Sequence, residues 1–290
     1  MIGLSEVGRL TRVAIKPAWA AFQSPARISA QWRLLGFAEA PDFNVACREY
    51  ETFQSLLATT GAEIVEFPMD ASVTMDSIYV RDASIVSSAG MILCEMGKAQ
   101  RAPEPAAQAE YYRDRRIPIA GAIRTPGRLE GGDLVWLDEH TVIVGHGYRT
   151  NAEGVDQLRS LLGRSVNVTV VPLPHWRGPS DVFHLMSMLS PIDRDLAVVY
   201  SPLLPVPFRT WLLDRGIQLI DVPDDEFASM GANVLALSPR RCVMLDGNPV
   251  TRASLERAGA EVSVYEGREI SLKGGGGPTC LTRPIERNPV

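Results

Sequence analysis

Cys280 follows the run Gly274-Gly275-Gly276-Gly277-Pro278-Thr279 and leads into Leu281-Thr282-Arg283-Pro284-Ile285. Glycine lets the backbone reach positive φ and lets another group approach closely. Four glycines in a row are not what core packing asks for, and a cysteine after such a loop is a candidate nucleophile at a strand start. A thiol acts as a thiolate only beside a base or a cation. The chain has 4 histidines. His140 lies in a charged turn, His146 between two glycines, and His175 in the proline-rich Pro172-Leu173-Pro174-His175-Trp176. His184 sits in the apolar Phe183-His184-Leu185-Met186, where a lone histidine is ordinarily a satisfied core residue.

Two acidic clusters could orient such a base. Asp76 and Asp82 bracket Ser77–Arg81, and on a strand their even spacing places both on one face. Glu130 stands directly before Gly131-Gly132-Asp133, where paired glycines permit a tight turn and a close ligand. Arg101 and Arg149 each follow a strand near these clusters, and an arginine fork matches a carboxylate bidentately. The other cysteines carry no such context. Cys94 and Cys242 lie in apolar strand segments and Cys47 in a helix without a basic partner, so all three read as packing residues.

The elements that must position these groups alternate between strand and helix. Alternating or continuous apolar runs predict strands at 12–16, 63–67, 77–81, 83–88, 91–95, 134–137, 141–144, 166–171, 195–200, 218–222, 234–237, 242–245 and 261–265. Helical spacing predicts helices at 43–60, from 104 to 113, at 152–162 and at 249–258. This alternation argues for an α/β protein. Short strand pairs followed by a helix recur loosely along the chain. No GxGxxG follows the strand at Val13–Pro17, which argues against a doubly wound dinucleotide fold.

Composition narrows the function further. With 290 residues, 46% hydrophobic and 22% charged, the chain can bury a full core without disulfide staples. Its 29 basic and 34 acidic residues give a net charge of −5, which argues against a nucleic-acid or anionic-membrane surface. No linker or charge block divides it, so one domain over 1–290 is expected. No signal peptide or spanning segment is read, and the scattered cysteines fit a reducing, cytoplasmic setting with free thiols. No zinc-ligand spacing appears, and neither a metal nor a cofactor is expected.

Taken in order, Tyr79-Val80-Arg81-Asp82, Glu130-Gly131-Gly132-Asp133, Gly147-Tyr148-Arg149-Thr150-Asn151, His184-Leu185 and Gly274–Thr282 resemble the guanidine-modifying branch of the pentein superfamily. That branch holds arginine deiminase, dimethylarginine dimethylaminohydrolase and the amidinotransferases. The segments span about two thirds of the chain. The resemblance implies a five-bladed α/β propeller of pseudo-fivefold ββαβ units. It implies Cys280 as nucleophile, His184 as general acid and base, and Glu130 as partner of the histidine and the guanidinium. Asp82 would grip the guanidinium, and Asp76 would bind the α-amino group of a small guanidino amino-acid substrate. Arg101 and Arg149 each stand nineteen residues after a site acid, a spacing similar to the family's carboxylate-binding arginines. A lid is implied near Ala18 to Ala30.

The chemistry agrees with these assignments. A guanidinium is a poor electrophile that carboxylates can position, and its amine leaves only when protonated. Two residues after the histidine, where deiminases usually carry an aspartate, this chain has Met186. An apolar residue there suits a methylated guanidinium. The expected reaction is hydrolysis of Nω-methylated arginine to citrulline and an amine. The alternatives are arginine deimination, amidino transfer, and arginine dihydrolysis, which the family pairs with asparagine in place of Asp82. A binding-only pentein would have no need of Cys280, His184, Glu130 and Asp82 together. The sequence leaves the oligomeric state open, a homodimer included.

Overall fold

The computed structural model describes residues 3–179, 181 and 183–290. Short apolar runs set the strands and amphipathic segments set the helices. In chain order the elements are β1 (Leu10–Ile15), α1 (Ala18–Phe22), α2 (Pro25–Leu35), α3 (Phe43–Ala58), β2 (Glu63–Glu66), β3 (Ser84–Ser87), β4 (Gly90–Leu93), α4 (Glu104–Asp114) and β5 (Ile119–Ala122). They continue with β6 (Leu134–Asp138), β7 (Thr141–His146), α5 (Ala152–Leu162), β8 (Asn167–Pro172), β9 (Leu189–Asp193), β10 (Leu196–Val199), α6 (Val206–Asp214) and β11 (Gln218–Asp221). The last are α7 (Asp224–Phe227), β12 (Leu235–Ser238), β13 (Arg241–Leu245), α8 (Pro249–Arg257), β14 (Glu261–Tyr265) and β15 (Thr282–Arg287).

The strands form five three-stranded sheets, ordered β15-β1-β2, β3-β4-β5, β6-β7-β8, β11-β10-β9 and β12-β13-β14. In every sheet the central strand runs antiparallel to one neighbour and parallel to the other. Parallel neighbours need a crossover, and each crossover here carries a helix: α3, α4, α5, α6 or α8. This is the ββαβ unit that the family resemblance implies, and it accounts for the loose recurrence of strand pairs and helices in the sequence. The first unit is completed from the far end of the chain, where β15 pairs with β1. Bonds from Gly3 N–H to the Arg287 carbonyl (2.8 Å) and from Asn288 N–H to the Arg9 carbonyl (2.9 Å) extend that closure.

Central strands such as Val142-Ile143-Val144 and Leu196–Val199 are buried throughout, as strands covered on both faces must be. In α3 the buried Ala46, Tyr50, Phe53 and Leu57 recur at spacings of three and four, and Asp42 caps the helix by accepting the Val45 N–H at 2.9 Å. In α5 Asn151 accepts the Gly154 N–H at 2.9 Å while Val155 and Leu158 face inward.

One expected strand is absent. Residues 77–81 lie in a 3₁₀ turn over Met75–Ile78 and the turns after it. Side chains replace a ladder here: the Tyr79 carbonyl accepts from Arg101 (2.7 Å) and the Val80 carbonyl from Gln108 (2.9 Å). Asp76 and Asp82 therefore reach one cavity through turns, not through strand alternation. No counterpart to helices α1, α2, α6 and α7 or strands β5 and β9 is predicted from the sequence, and β15 is anticipated only as the strand start after Cys280. β9 contains Pro191 and β15 contains Pro284, yet both are edge strands, where a missing N–H is tolerated. The lid region Ala18 to Ala30 is α1 and the start of α2.

Candidate active site

Cys280 closes the turn before β15, its N–H donating to the Gly277 carbonyl at 3.0 Å. The glycine run is largely a packing requirement, contrary to the sequence expectation. A Cβ on Gly274 or Gly276 would collide with the Tyr79 side chain, and one on Gly277 would stand 2.5 Å from Asn233. Gly275 alone needs the left-handed region, at φ 81°. Asn233, just before β12, ties the turn from the other side. Its Oδ1 accepts from Thr279 N–H (3.1 Å) and Thr279 Oγ1 (2.9 Å), and its Nδ2 lies 3.7 Å from Cys280 Sγ. From below, Arg81 Nε donates to the Thr279 carbonyl at 2.8 Å.

His184 precedes the short 3₁₀ turn Leu185–Ser187. Its Nε2 lies 2.8 Å from Glu130 Oε2, and its Nδ1 lies 3.9 Å from Asp82 Oδ1. Asp133 fixes the turn, accepting from Leu185 N–H at 3.0 Å and from Thr150 Oγ1 at 2.6 Å. The pair Gly131-Gly132 makes room for this. A Cβ on Gly132 would stand 2.6 Å from His184 Nδ1 and 2.8 Å from Asp82 Oδ1, and the Gly132 N–H instead donates to Asp82 Oδ1 at 3.1 Å.

Glu130 is saturated. Its Oε1 accepts from Gly97 N–H (2.8 Å), Lys98 N–H (3.3 Å) and Arg149 Nε (2.9 Å), and Oε2 also lies 2.9 Å from Arg149 Nη2. Arg149 is thus held on Glu130 by its Nε hydrogen bond and the close Nη2 ion pair, and neither Nη atom has a hydrogen-bond partner among the described residues. Arg101 donates to Asp82 Oδ2 (2.5 Å), to the Tyr79 carbonyl and, twice, to the buried Glu104 (2.9 and 2.8 Å). Both arginines expected to face a substrate carboxylate are therefore first of all partners of the site's own acids. Asp76, expected to hold an α-amino group, lies 2.5 Å from Lys98 Nζ, which also reaches the Leu35 carbonyl at the end of α2 (2.6 Å).

Burial and charge set the protonation states. Burial pulls the His184 imidazole down, but Asp82, Asp133 and Glu130 outweigh it and push it up to about 9. Burial raises Glu130 and Asp82, yet the His184 hydrogen bond and Arg149 hold Glu130 well below the carboxylate range, and His184 and Arg101 lower Asp82. Burial and the Asp82 charge raise the Cys280 thiol. At neutral pH Cys280 is therefore a thiol and His184 an imidazolium, facing the carboxylates Asp82 and Glu130, with Asp133, which burial pushes up to about 6, beside them.

Two cavities meet at Cys280, His184 and Gly275. One, about 330 Å³, is lined by Asp76, Asp82, Lys98, Arg101 and Arg149. The other, about 810 Å³ counting the solvent at its open mouth, mixes apolar side chains such as Phe183, Met186 and Met230 with polar ones such as Arg177, Asp181 and Asn233. The structure thus brings all seven predicted residues to one place, with Glu130 just behind the surface. Sequence reasoning missed Asn233, Lys98, Glu104 and the anchoring role of Asp133. Only Asp133 lay within a recognised motif. Asp82, Glu130 and His184 also place donor atoms within 4.8 Å of one another, a trio of metal-ligand type that the sequence spacing did not show. Each carboxylate already carries a guanidinium, so a metal ion would have to displace Arg101 and Arg149 from them.

A family model described as eukaryotic N,N-dimethylarginine dimethylhydrolase matches residues 37–287. The chain is 29% identical to the N(G),N(G)-dimethylarginine dimethylaminohydrolase of Streptomyces coelicolor, over 84% of this chain and 87% of that one. It is 26% identical to an arginine deiminase of Listeria welshimeri, covering 77% of this chain but 64% of that longer protein. The fold superposes on the Pseudomonas aeruginosa dimethylarginine dimethylaminohydrolase complexed with citrulline with a TM-score of 0.76 at 22% identity, covering 96% and 100% of the two chains.

Proposed function

The chain belongs to the N,N-dimethylarginine dimethylhydrolase family, and from that premise we propose that it hydrolyses the guanidinium of Nω-methylated arginine to citrulline and a methylamine. The observation that carries this is the convergence of a thiol, an imidazolium and the Arg101-held Asp82 on one cavity wall, with the Arg149-held Glu130 directly behind His184. The five ββαβ units fit a closed five-bladed propeller acting as one catalytic domain over 1–290, with the site at the centre.

The steps follow from the charges. The substrate guanidinium enters beside Asp82, whose Oδ1 accepts only one hydrogen bond among the described residues, from Gly132. Its positive charge offsets the Asp82 field on Cys280, so the thiol ionises and its proton leaves to solvent. The thiolate attacks the guanidinium carbon. Glu130 holds the His184 Nε2–H, leaving Nδ1 to protonate the departing methylamine. The S-alkylthiouronium so formed is attacked by water that gives its proton to His184, and Cys280 leaves as thiolate. Among the described residues lining the charged cavity, Arg149 Nη1 can meet a substrate carboxylate, and so can Lys98 beside its pairing with Asp76. Arg101 serves mainly to hold Asp82.

Met186, buried beside His184, favours methylated arginine over arginine itself. A citrulline assay with arginine, monomethylarginine and asymmetric dimethylarginine tests this. Both methylated substrates are expected to turn over faster than arginine, and faster arginine turnover would assign a deiminase instead.

A further inference from the structure

We propose that the larger cavity receives the substituent on the leaving nitrogen, so that the enzyme also cleaves guanidines whose leaving nitrogen carries an alkyl or arylalkyl group well beyond methyl. This rests on the hydrolase reading above. The charged cavity, about 330 Å³, is built for the amino-acid end of a substrate. The second, about 810 Å³, opens on the other side of the same sulfur and imidazole. A guanidinium carbon at Cys280 with its amino-acid arm toward Asp76 and Lys98 directs its other nitrogen into this second cavity. Because this space runs out to solvent, a substituent longer than methyl can extend along it.

The lining suits an apolar occupant. Phe183, Met186, Phe227 and Met230 contribute to it. Among the described residues, its charged members other than His184 are one of each sign, Arg177 and Asp181, so it offers no net attraction to an ion. Phe227 is held in place by stacking on Tyr200, with ring centroids 3.8 Å apart. Met230 keeps its backbone at φ 65°, a strained conformation that such walls retain where they shape a site. His184 lines both cavities and can protonate a nitrogen whose substituent lies in the second.

The chemistry is unchanged: Cys280 bonds to the guanidinium carbon, the C–N bond to the substituted nitrogen breaks, and the amine takes its proton from His184. Water then releases citrulline, and the second product is the larger primary amine. Nω-methyl-, Nω-propyl- and Nω-benzylarginine, assayed for citrulline and for the free amine, test the proposal. Propyl and benzyl substrates are expected to reach kcat/KM within about tenfold of the methyl compound, since an occupied apolar pocket repays each added methylene. Ala228, small and exposed on the wall after α7, permits a block. Ala228→Trp is expected to cut benzyl turnover by about tenfold or more and to leave methyl turnover within about twofold. Methyl turnover with benzyl turnover a hundredfold or more weaker would overturn the proposal alone. Failure of every substrate would overturn the hydrolase reading with it. Capture of an added alkylamine in place of water, with no benzyl turnover, would assign the cavity to an acceptor and also overturn it.

Discussion

At the scale of single residues, Cys280 and His184 hold opposite departures from their ordinary states. The thiol is raised because burial and the Asp82 carboxylate both oppose a second negative charge. The imidazole is raised because three carboxylates favour its cation. In the free protein Cys280 is therefore a thiol and His184 an imidazolium, and under the proposed reaction a cationic substrate is what ionises the thiol. Alkylation of Cys280 in the free protein is expected to rise about tenfold per pH unit between pH 7 and 9, because the thiol titrates above its ordinary value of 9.0. Iodoacetamide inactivation at a series of pH values measures this, and a rate flat over that range would contradict it. These states were not legible in the sequence. Residue type and the family resemblance pointed to Cys280 and His184, but the carboxylates that tune them come from 82, 130 and 133, and only folding sets their distances.

Among the elements, turns rather than strands hold the chemistry. Asp76 and Asp82 reach the site through the 3₁₀ turn and bends between β2 and β3. The strand expected there fails because buried Arg101 and Gln108 take the carbonyls that a neighbouring strand would have used. The Cys280 turn depends on a partner from a different unit. Asn233 gives both of its amide atoms to it, accepting from Thr279 and donating toward Sγ. Removing it leaves the Thr279 N–H and hydroxyl unpaired in a buried place, a cost of about 1–3 kcal/mol. Asn233→Ala is therefore expected to lower kcat about tenfold or more, with a smaller change in KM, in steady-state assays. An unchanged kcat would show that the glycine packing against Tyr79 suffices to hold the turn.

Over the whole molecule, the first sheet joins the two ends of the chain, and beneath it lies a buried charge cluster. Arg81, Arg283 and Arg287 are almost wholly buried, and Glu6 is the acid among them, 3.2 Å from Arg81 Nη1. Arg81 also supports the Cys280 turn through the Thr279 carbonyl, so this cluster links stability to the site. Burial pushes Glu6 up, but the three arginines outweigh it and hold it ionised. Glu6→Gln leaves three guanidiniums without their carboxylate and is expected to destabilise the protein by about 3–5 kcal/mol, measured by urea unfolding. A loss below about 1 kcal/mol would show that the backbone carbonyls alone satisfy these arginines. The sequence by itself determined the alternation of strands and helices and the order of the guanidine-type motifs, because residue type and local spacing carry that information, and the resemblance those motifs carry is what pointed to Cys280, His184, Glu130 and Asp82. Only the tertiary structure decided that β15 completes the first sheet, that Arg101 and Arg149 are bound to the site's own acids, that Lys98 and Asn233 belong to the site, and that a second cavity opens at Cys280. Those facts depend on contacts between residues far apart in the chain, whose partners no local pattern specifies.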